Sequence, residues 1–247
     1  MKKLFFSFIL LTSLLNAANI NIAVAANVSY AIAELKSTFE KQYPDIDVGI
    51  ILGGSGKLTA QIKNGAPYDI LMSANMDYPQ ALYKENLAIT KPLVYAQGSL
   101  AIFSSRAKDF SKGLKIVLKV KTIAIANPKT APYGKATIEA LKNAKLYAKV
   151  KNKFVYAESI SQTVAYSVTA ADIGFVAKSA LYSAKMKKFK EGRNYMEVPS
   201  KLYTPINQGI VILKRAKNNK DALAFYNFIL SKKAKEIFKR YGYSVNE

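Results

Sequence analysis

Apolar residues recur with two different spacings along this chain, and the alternation of the two predicts an α/β protein. Segment 20–24 has apolar residues at every second position, which is typical of strands, whereas segment 28–42 spaces them three or four apart, which is typical of helices. Alternating strands and amphipathic helices favour mainly parallel sheets flanked by helices. The predicted strands are 19–25, 48–52, 68–72, 100–103, 122–126, 154–157, 172–176 and 208–213. The predicted helices are 28–42, a helix that follows the second strand and ends at 62, 133–146, 160–169 and two pieces within 221–239.

Two extended stretches, at 96–99 and 203–207, interrupt this alternation and are candidates for connections between domains. If both connect the same two lobes, lobe I consists of residues 18–97 plus 206–247 and lobe II of residues 98–205. A double connection of this kind acts as a hinge, and a cleft between the lobes can close around a ligand.

The N-terminus has the pattern of a secretory signal peptide. Lys2 and Lys3 precede an apolar stretch over 4–15, and small residues follow at 17–18. The predicted signal peptide is 1–17, with cleavage after Ala17. The chain contains no cysteine, so it lacks a lipid-anchored cleavage site, and the mature protein is expected to be exported and soluble.

The absence of two residue types restricts the possible chemistry. Without Cys or His, the chain has no disulfide, no thiolate nucleophile, no imidazole base and no typical zinc site. The formal charge is +21, which falls to +19 when Lys2 and Lys3 are removed with the signal peptide. The lysines are scattered over predicted helix faces, which is typical of a solvated surface. No nucleic-acid-binding motif accompanies them, so nucleic acid is not an expected partner.

The run 52–58, Leu-Gly-Gly-Ser-Gly-Lys-Leu, lies between a predicted strand and a predicted helix and has the composition of an anion-binding turn. Glycines let the backbone approach a ligand, Ser55 offers an O–H, and the first helical turn has free N–H groups. Comparable strand-to-helix turns occur at 26–29 and 127–133. The run matches neither a phosphate-binding P-loop nor a nucleophile elbow. A tight glycine turn without a ligand remains the alternative.

Five segments together resemble the periplasmic molybdate-binding proteins, the receptors of ABC-type oxyanion importers. They are 25–29 (Ala-Ala-Asn-Val-Ser), 54–58 (Gly-Ser-Gly-Lys-Leu), 65–70 (Gly-Ala-Pro-Tyr-Asp-Ile), 73–75 (Ser-Ala-Asn) and, as the most specific match, 236–243 (Glu-Ile-Phe-Lys-Arg-Tyr-Gly-Tyr). The resemblance covers essentially the whole mature chain. It implies a type II periplasmic-binding-protein fold, with two α/β lobes that enclose a molybdate or tungstate dianion in the cleft between them.

The resemblance also implies four ligand-binding residues. Ser55 matches the second anion turn directly, and Asn27 stands at the first, where its side-chain amide or the backbone N–H groups would donate; Ser29 is a nearby alternative. Other family members place a tyrosine hydroxyl on the ligand after the strand that contains Gly174, where this chain has Ala177. Tyr133 is therefore the expected replacement. The alternative is that its ring only packs against the wall of the cleft and does not bind the ligand. Ile160 would contribute its backbone N–H.

Neutral donors of this kind can hold a dianion without a lysine on the ligand. Hydrogen bonds to a charged group contribute about 1.5–3 kcal/mol each, so roughly six or seven of them, together with helix N-termini, offset much of the desolvation cost. Lys57 and Lys135, which lie near the turns, are expected to be solvated and to act only through the long-range field.

The implied function is that of a monomeric periplasmic receptor that delivers molybdate, and tungstate as well, to an inner-membrane ABC permease. No catalytic residue, cofactor or directly bound metal cation is expected. The alternatives are a receptor for sulfate or thiosulfate, a ferric-ion receptor with a tyrosine cluster, a secreted hydrolase and a basic surface-binding module.

Overall fold

The computed structural model describes residues 20–245, and its ten strands form two five-stranded sheets. The sheet orders are β2-β1-β3-β10-β4 and β7-β6-β8-β5-β9. We refer to the first sheet with its flanking helices as lobe I and to the second as lobe II. The strands are β1 (Ile20–Ala25), β2 (Val48–Gly53), β3 (Ile70–Ser73), β4 (Leu93–Gly98), β5 (Leu100–Phe103), β6 (Ile123–Ala126), β7 (Phe154–Ala157), β8 (Ile173–Ala177), β9 (Tyr195–Glu197) and β10 (Ile206–Ile212).

Each sheet is mainly parallel, because one strand in each runs against the other four. In lobe I, β1 pairs in parallel with β2 and β3, while β10 lies antiparallel between β3 and β4. In lobe II, β6 pairs in parallel with β7 and β8, while β5 lies antiparallel between β8 and β9. The predicted fold class, two α/β lobes with mainly parallel sheets, is confirmed.

Helices cover the sheets. The α-helices are α1 (Ile32–Gln42), α2 (Ser55–Lys63), α3 (Asp77–Lys84), α4 (Pro132–Asn143), α5 (Tyr147–Val150), α6 (Ile160–Thr169), α7 (Lys220–Leu230) and α8 (Lys232–Arg240). Short 3₁₀ helices occupy Ala26–Tyr30, Gly113–Lys119, Lys151–Lys153, Lys178–Tyr182, Ala184–Met186, Ser200–Leu202 and Lys214–Ala216. Among residues 20–245, no helix is both long and apolar enough to cross a membrane.

The chain passes between the sheets twice. Only Ser99 separates β4 of lobe I from β5 of lobe II, and residues 198–205 connect β9 of lobe II to β10 of lobe I. After β10, α7 and α8 pack against the lobe I sheet in a core that includes Phe225 and Phe238. The predicted signal peptide, 1–17, lies outside the described residues.

The predicted helix 28–42 is wrong at its start, because a 3₁₀ helix over Ala26–Tyr30 precedes α1 at Ile32. In an α-helix the carbonyl of Asn27 would accept from the N–H of Ala31. That carbonyl instead accepts from the hydroxyls of Ser179 and Tyr243, and the Ala31 N–H donates to Val28 at 2.9 Å. Tertiary hydrogen bonds therefore replace the first α-helical bonds.

Candidate functional site

Four helix starts, two from each lobe, converge on one pocket. The 3₁₀ helix at Ala26 follows β1 and α2 follows β2, whereas α4 comes after β6 and α6 after β7. The pocket encloses about 200 Å³, including the space open to solvent. All four residues implied by the resemblance line it, and we call the complete lining the cleft floor: Ala25, Ala26, Asn27, Gly53, Gly54, Ser55, Ala74, Ala131, Pro132, Tyr133 and Ile160.

The helix starts bring backbone N–H groups to the cleft floor. The helices that start at Ala26, Ser55 and Pro132 have no side-chain cap, and the Ser159 hydroxyl at the start of α6 accepts only from Gln162. The first N–H groups of a helix have no intrahelical acceptor and carry partial positive charge. No Lys, Arg, Asp or Glu lines this pocket. The arrangement suits an anion held by neutral donors.

Ser55 is fixed as a donor by the strand beside it. Its Oγ accepts a hydrogen bond from the N–H of Ala74 at 3.0 Å, just beyond β3. The side chain is almost fully buried, and the hydroxyl keeps one proton to donate. Ser55 is also the first residue of α2, so its O–H and the helix start lie at the same place.

Asn27 uses its side-chain donors within the protein. Its Nδ2 donates to Gln208 Oε1 at 2.8 Å and to Tyr243 Oη at 2.9 Å. The network fixes this orientation of the amides, because Gln208 Nε2 donates to the Ile206 carbonyl at 3.0 Å and therefore presents its oxygen to Asn27. Of the two routes left open by the sequence, only the backbone N–H of the turn is available to a ligand. Neither Gln208 nor Tyr243 was identified from the sequence as part of the site.

Tyr133 carries a buried hydroxyl that lies near the Asn27 side chain without a well-formed hydrogen bond. Its Oη makes no hydrogen bond within residues 20–245, and neither does Asn27 Oδ1. The ring reaches the crossover between the lobes, where a Cβ at Gly98 would lie 2.1 Å from the hydroxyl. Burial raises the pKa of Tyr133 well above its ordinary value, and the nearby hydroxyl of Tyr243 adds to the effect. Tyr133 therefore remains a protonated donor.

The ferric-ion alternative requires a tyrosine cluster that is accompanied by carboxylates or an anion. Burial raises the pKa of Tyr243 and Tyr95 as well. Within the described part of the chain, no group of three or more His, Cys, Asp or Glu side chains could hold a metal ion. Tyr133 is the one tyrosine among the residues that line the pocket, and no carboxylate lines it beside Tyr133, so the lining does not match a ferric-ion site of this kind.

The two lobes touch directly beside the cleft floor. The N–H of Gly56 in lobe I donates to the carbonyl of Thr130 in lobe II at 2.9 Å. The hydroxyl of Ser161 donates to the carbonyl of Ala26 at 2.8 Å. A Cβ at Gly56 would lie 2.7 Å from the Tyr78 hydroxyl, 2.9 Å from Thr130 O and 3.0 Å from Thr130 Cα, which is closer than such contacts normally come. A glycine is therefore needed at position 56 for this approach of the lobes.

Charged side chains lie outside the cleft floor, and we call them the cleft rim: Lys57, Glu158, Asp77 and Lys135. Lys57 Nζ lies 2.5 Å from Glu158 Oε1, and Lys135 Nζ lies 3.4 Å from Asp77 Oδ2. All four side chains are more than half exposed. Lys57 and Lys135 are thus solvated, as predicted, but each pairs with a carboxylate of the opposite lobe, a contact that the sequence did not predict.

Two α/β lobes joined by two crossovers, with converging helix starts between them, define a two-lobed solute-binding protein. Residues 20–244 match the family model described as bacterial extracellular solute-binding protein, and the chain belongs to that family.

Two individual relatives and one solved structure are similar to this chain over most of its length. The chain is 36% identical over 242 residues to the molybdate-binding protein ModA of Azotobacter vinelandii, covering 96% of this chain and 94% of that protein. It is 34% identical over 230 residues to ModA of Rhodobacter capsulatus, covering 92% of this chain and 88% of that protein. The solved structure of the Azotobacter vinelandii periplasmic molybdate-binding protein superposes with a TM-score of 0.85 at 31% identity, covering 92% of this chain and all of that one.

Proposed function

We propose that this protein is a periplasmic receptor that captures molybdate, and tungstate as well, and delivers it to an inner-membrane ABC permease. The observation that carries the proposal is the cleft floor, where four helix starts from two lobes meet without a charged side chain. The molybdate-binding relatives at 36% and 34% identity favour this anion over sulfate or thiosulfate. We take lobe I as residues 18–97 plus 206–247 and lobe II as 98–205.

In this proposal each lobe supplies one hydroxyl and backbone donors to the anion. Ser55 and the N–H groups of the Asn27 turn bind from lobe I, and Tyr133 and the N–H of Ile160 bind from lobe II. Because each hydrogen bond to a charged group contributes about 1.5–3 kcal/mol, the full set forms only when both lobes surround the ligand. Affinity and closure are therefore linked.

The remaining features follow from the role of a receptor. Such a protein binds and releases its ligand unchanged, so we infer that it has no catalytic activity and that the oxyanion is its cargo and not a cofactor. We infer that the protein acts as a monomer, since the pocket is built from one chain. Its position in the periplasm rests on the predicted signal peptide and on the relatives.

Calorimetric titration of the mature protein with molybdate, tungstate and sulfate, each at moderate salt, tests the proposal. We expect tight binding of one molybdate or one tungstate per chain and no saturable heat with sulfate. Saturable heat with sulfate alone would assign the protein to sulfate transport. Absence of heat with all three anions would reduce the likeness to a shared fold and overturn the proposal.

A further inference from the structure

The C-terminal segment 236–243 carries the most specific sequence match, yet none of its residues lines the cleft floor. After α8 the chain turns at Gly242, whose φ of +75° favours glycine. Ser244 then pairs with Gln97 of β4. The Gln97 N lies 2.7 Å from the Ser244 O, and the Ser244 N lies 2.9 Å from the Gln97 O. This pairing fixes the C-terminal segment against the strand that leads into lobe II.

Tyr243 reaches from this segment to the Asn27 turn, 216 residues away along the chain. Its hydroxyl donates to the Asn27 carbonyl at 2.8 Å and accepts from Asn27 Nδ2 at 2.9 Å. Gln208 Oε1 accepts a second hydrogen bond from Asn27 Nδ2 at 2.8 Å. Asn27, Gln208 and Tyr243 are all buried, so these bonds are shielded from water. Tyr243 and Gln208 together fix the backbone and the side chain of Asn27.

Lobe II contacts the same group of residues. The Ser179 hydroxyl donates to the Asn27 carbonyl at 2.9 Å, so that oxygen accepts from one hydroxyl of each lobe. Tyr182, at the end of the same 3₁₀ helix, packs on Gly242, where an added Cβ would lie 2.4 Å from the ring. The segment Lys178–Tyr182 therefore meets both the Asn27 turn and the residue next to Tyr243.

We propose that Tyr243 is a positioning residue of the anion site. By holding the carbonyl and the amide of Asn27, it orients the Ala26–Tyr30 turn so that the N–H groups of the turn face the pocket, and it sets the Asn27 carbonyl where Ser179 can bind it when the lobes close. Tyr243 itself does not touch the ligand. This inference rests on the proposed function for its ligand and on the contacts above for its geometry.

The test uses Tyr243→Phe with Tyr95→Phe as the matched control. Tyr95 also has a buried hydroxyl and packs on Phe238, as Tyr243 does, but its Oη makes no hydrogen bond within the described residues. We expect Tyr243→Phe to weaken molybdate binding about tenfold or more, as for one lost hydrogen bond in a buried site, while Tyr95→Phe changes it less than twofold. Equal affinities of the two variants would overturn the proposal.

A double-mutant cycle with Ser179→Ala distinguishes the positioning role of Tyr243 from a merely structural role. Both hydroxyls bind the same carbonyl oxygen, so their effects on molybdate affinity should be non-additive. Additive effects on affinity would contradict a shared action through Asn27.

Hydrogen exchange of the peptide containing residues 26–31, measured without any oxyanion, tests the same positioning independently of ligand identity. Faster exchange in Tyr243→Phe than in Tyr95→Phe supports it, and equal exchange opposes it. If the wild-type protein binds no oxyanion, the proposed function fails, but this measurement still decides whether Tyr243 holds the turn.

Discussion

The cleft floor and the cleft rim lie side by side and interact with charge in opposite ways. The floor is buried, lined by small residues and neutral donors, and contains no ionisable carboxylate or ammonium. The rim is exposed, and its lysines are paired with carboxylates across the cleft. The excess of positive charge in this chain is thus kept away from the pocket. In the proposed site, capture of the anion would depend on preorganised dipoles and not on a nearby cation.

The difference in exposure sets the expected energies. An exposed ion pair contributes about 0–1 kcal/mol, because water and salt screen it and its long side chains lose freedom. A hydrogen bond from the floor to a dianion contributes about 1.5–3 kcal/mol, because it forms away from water. Substitutions in the floor should therefore weaken anion binding more than substitutions at the rim.

The largest effect is expected from Ser55→Ala. Loss of its hydroxyl removes a donor to the anion and leaves the Ala74 N–H without its acceptor, so molybdate affinity should fall about tenfold to hundredfold. Calorimetry gives the dissociation constant, and Ser29→Ala is the control. The Ser29 hydroxyl lies 3.3 Å from that of Ser161 and outside the floor. A larger loss in Ser29→Ala would transfer the role to that residue.

Gly56→Ala should give the next largest effect, by keeping the lobes apart. The added methyl group would meet the backbone of Thr130 and the end of the Tyr78 side chain. The Tyr78 side chain can shift but the Thr130 backbone cannot do so easily, so closure and affinity should both decline, by about tenfold in affinity. Within a helix, alanine is about 0.5–1 kcal/mol more favourable than glycine. Thermal stability without ligand should therefore stay equal or rise. A parallel fall in Tm and affinity would show damage to lobe I instead of a block to closure.

A charge reversal at the rim should have a small effect. Lys57→Glu is expected to weaken binding less than about fivefold, since the Lys57–Glu158 pair is exposed. The double variant Lys57→Glu/Glu158→Lys should recover most of that loss, and the difference should fade with added sodium chloride. A hundredfold loss that persists in high salt would place Lys57 on the ligand.

The smallest effect is expected from pH. Burial raises the pKa of Tyr133, so this residue stays protonated near neutrality. The chain has no His, and no Lys, Arg, Asp or Glu lines the floor. The affinity for molybdate should therefore be constant between pH 7 and 9. Ionisation of Tyr133 in that range would instead cause a steep loss.

The raised pKa values of Tyr133 and Tyr243 also set the sign of a stability change. Unfolded tyrosine ionises near pH 10, before the folded state does. The folded state then binds more protons than the unfolded state, so the free energy of unfolding falls as pH rises above about 10. Urea denaturation at pH 9 and 11 measures it.

Local pattern was sufficient to predict eight of the ten strands and most helices. The meeting of Asn27, Ser55, Tyr133 and Ile160 at one pocket was implied by the family resemblance and not by local pattern. Local pattern missed β4 and β9 as strands, because β4 reads as an extended connection and β9 has only three residues. It also missed Gln208, Ser179 and Tyr243 around Asn27. These partners are more than 150 residues away from Asn27, and spacing along the chain contains no information on such contacts. The motif around Tyr243 indicated family membership, but it did not indicate that Tyr243 contacts Asn27.

The backbone bond between Gly56 and Thr130 has a kinetic consequence. It lies beside Ser55 and connects the two lobes, so release of the proposed anion from the cleft floor would require this bond and the neighbouring contacts between the lobes to break. In the proposed complex, the half-life would then depend on the rate of lobe separation. Any partner that holds the two lobes apart would shorten that half-life and so control when the cargo is released.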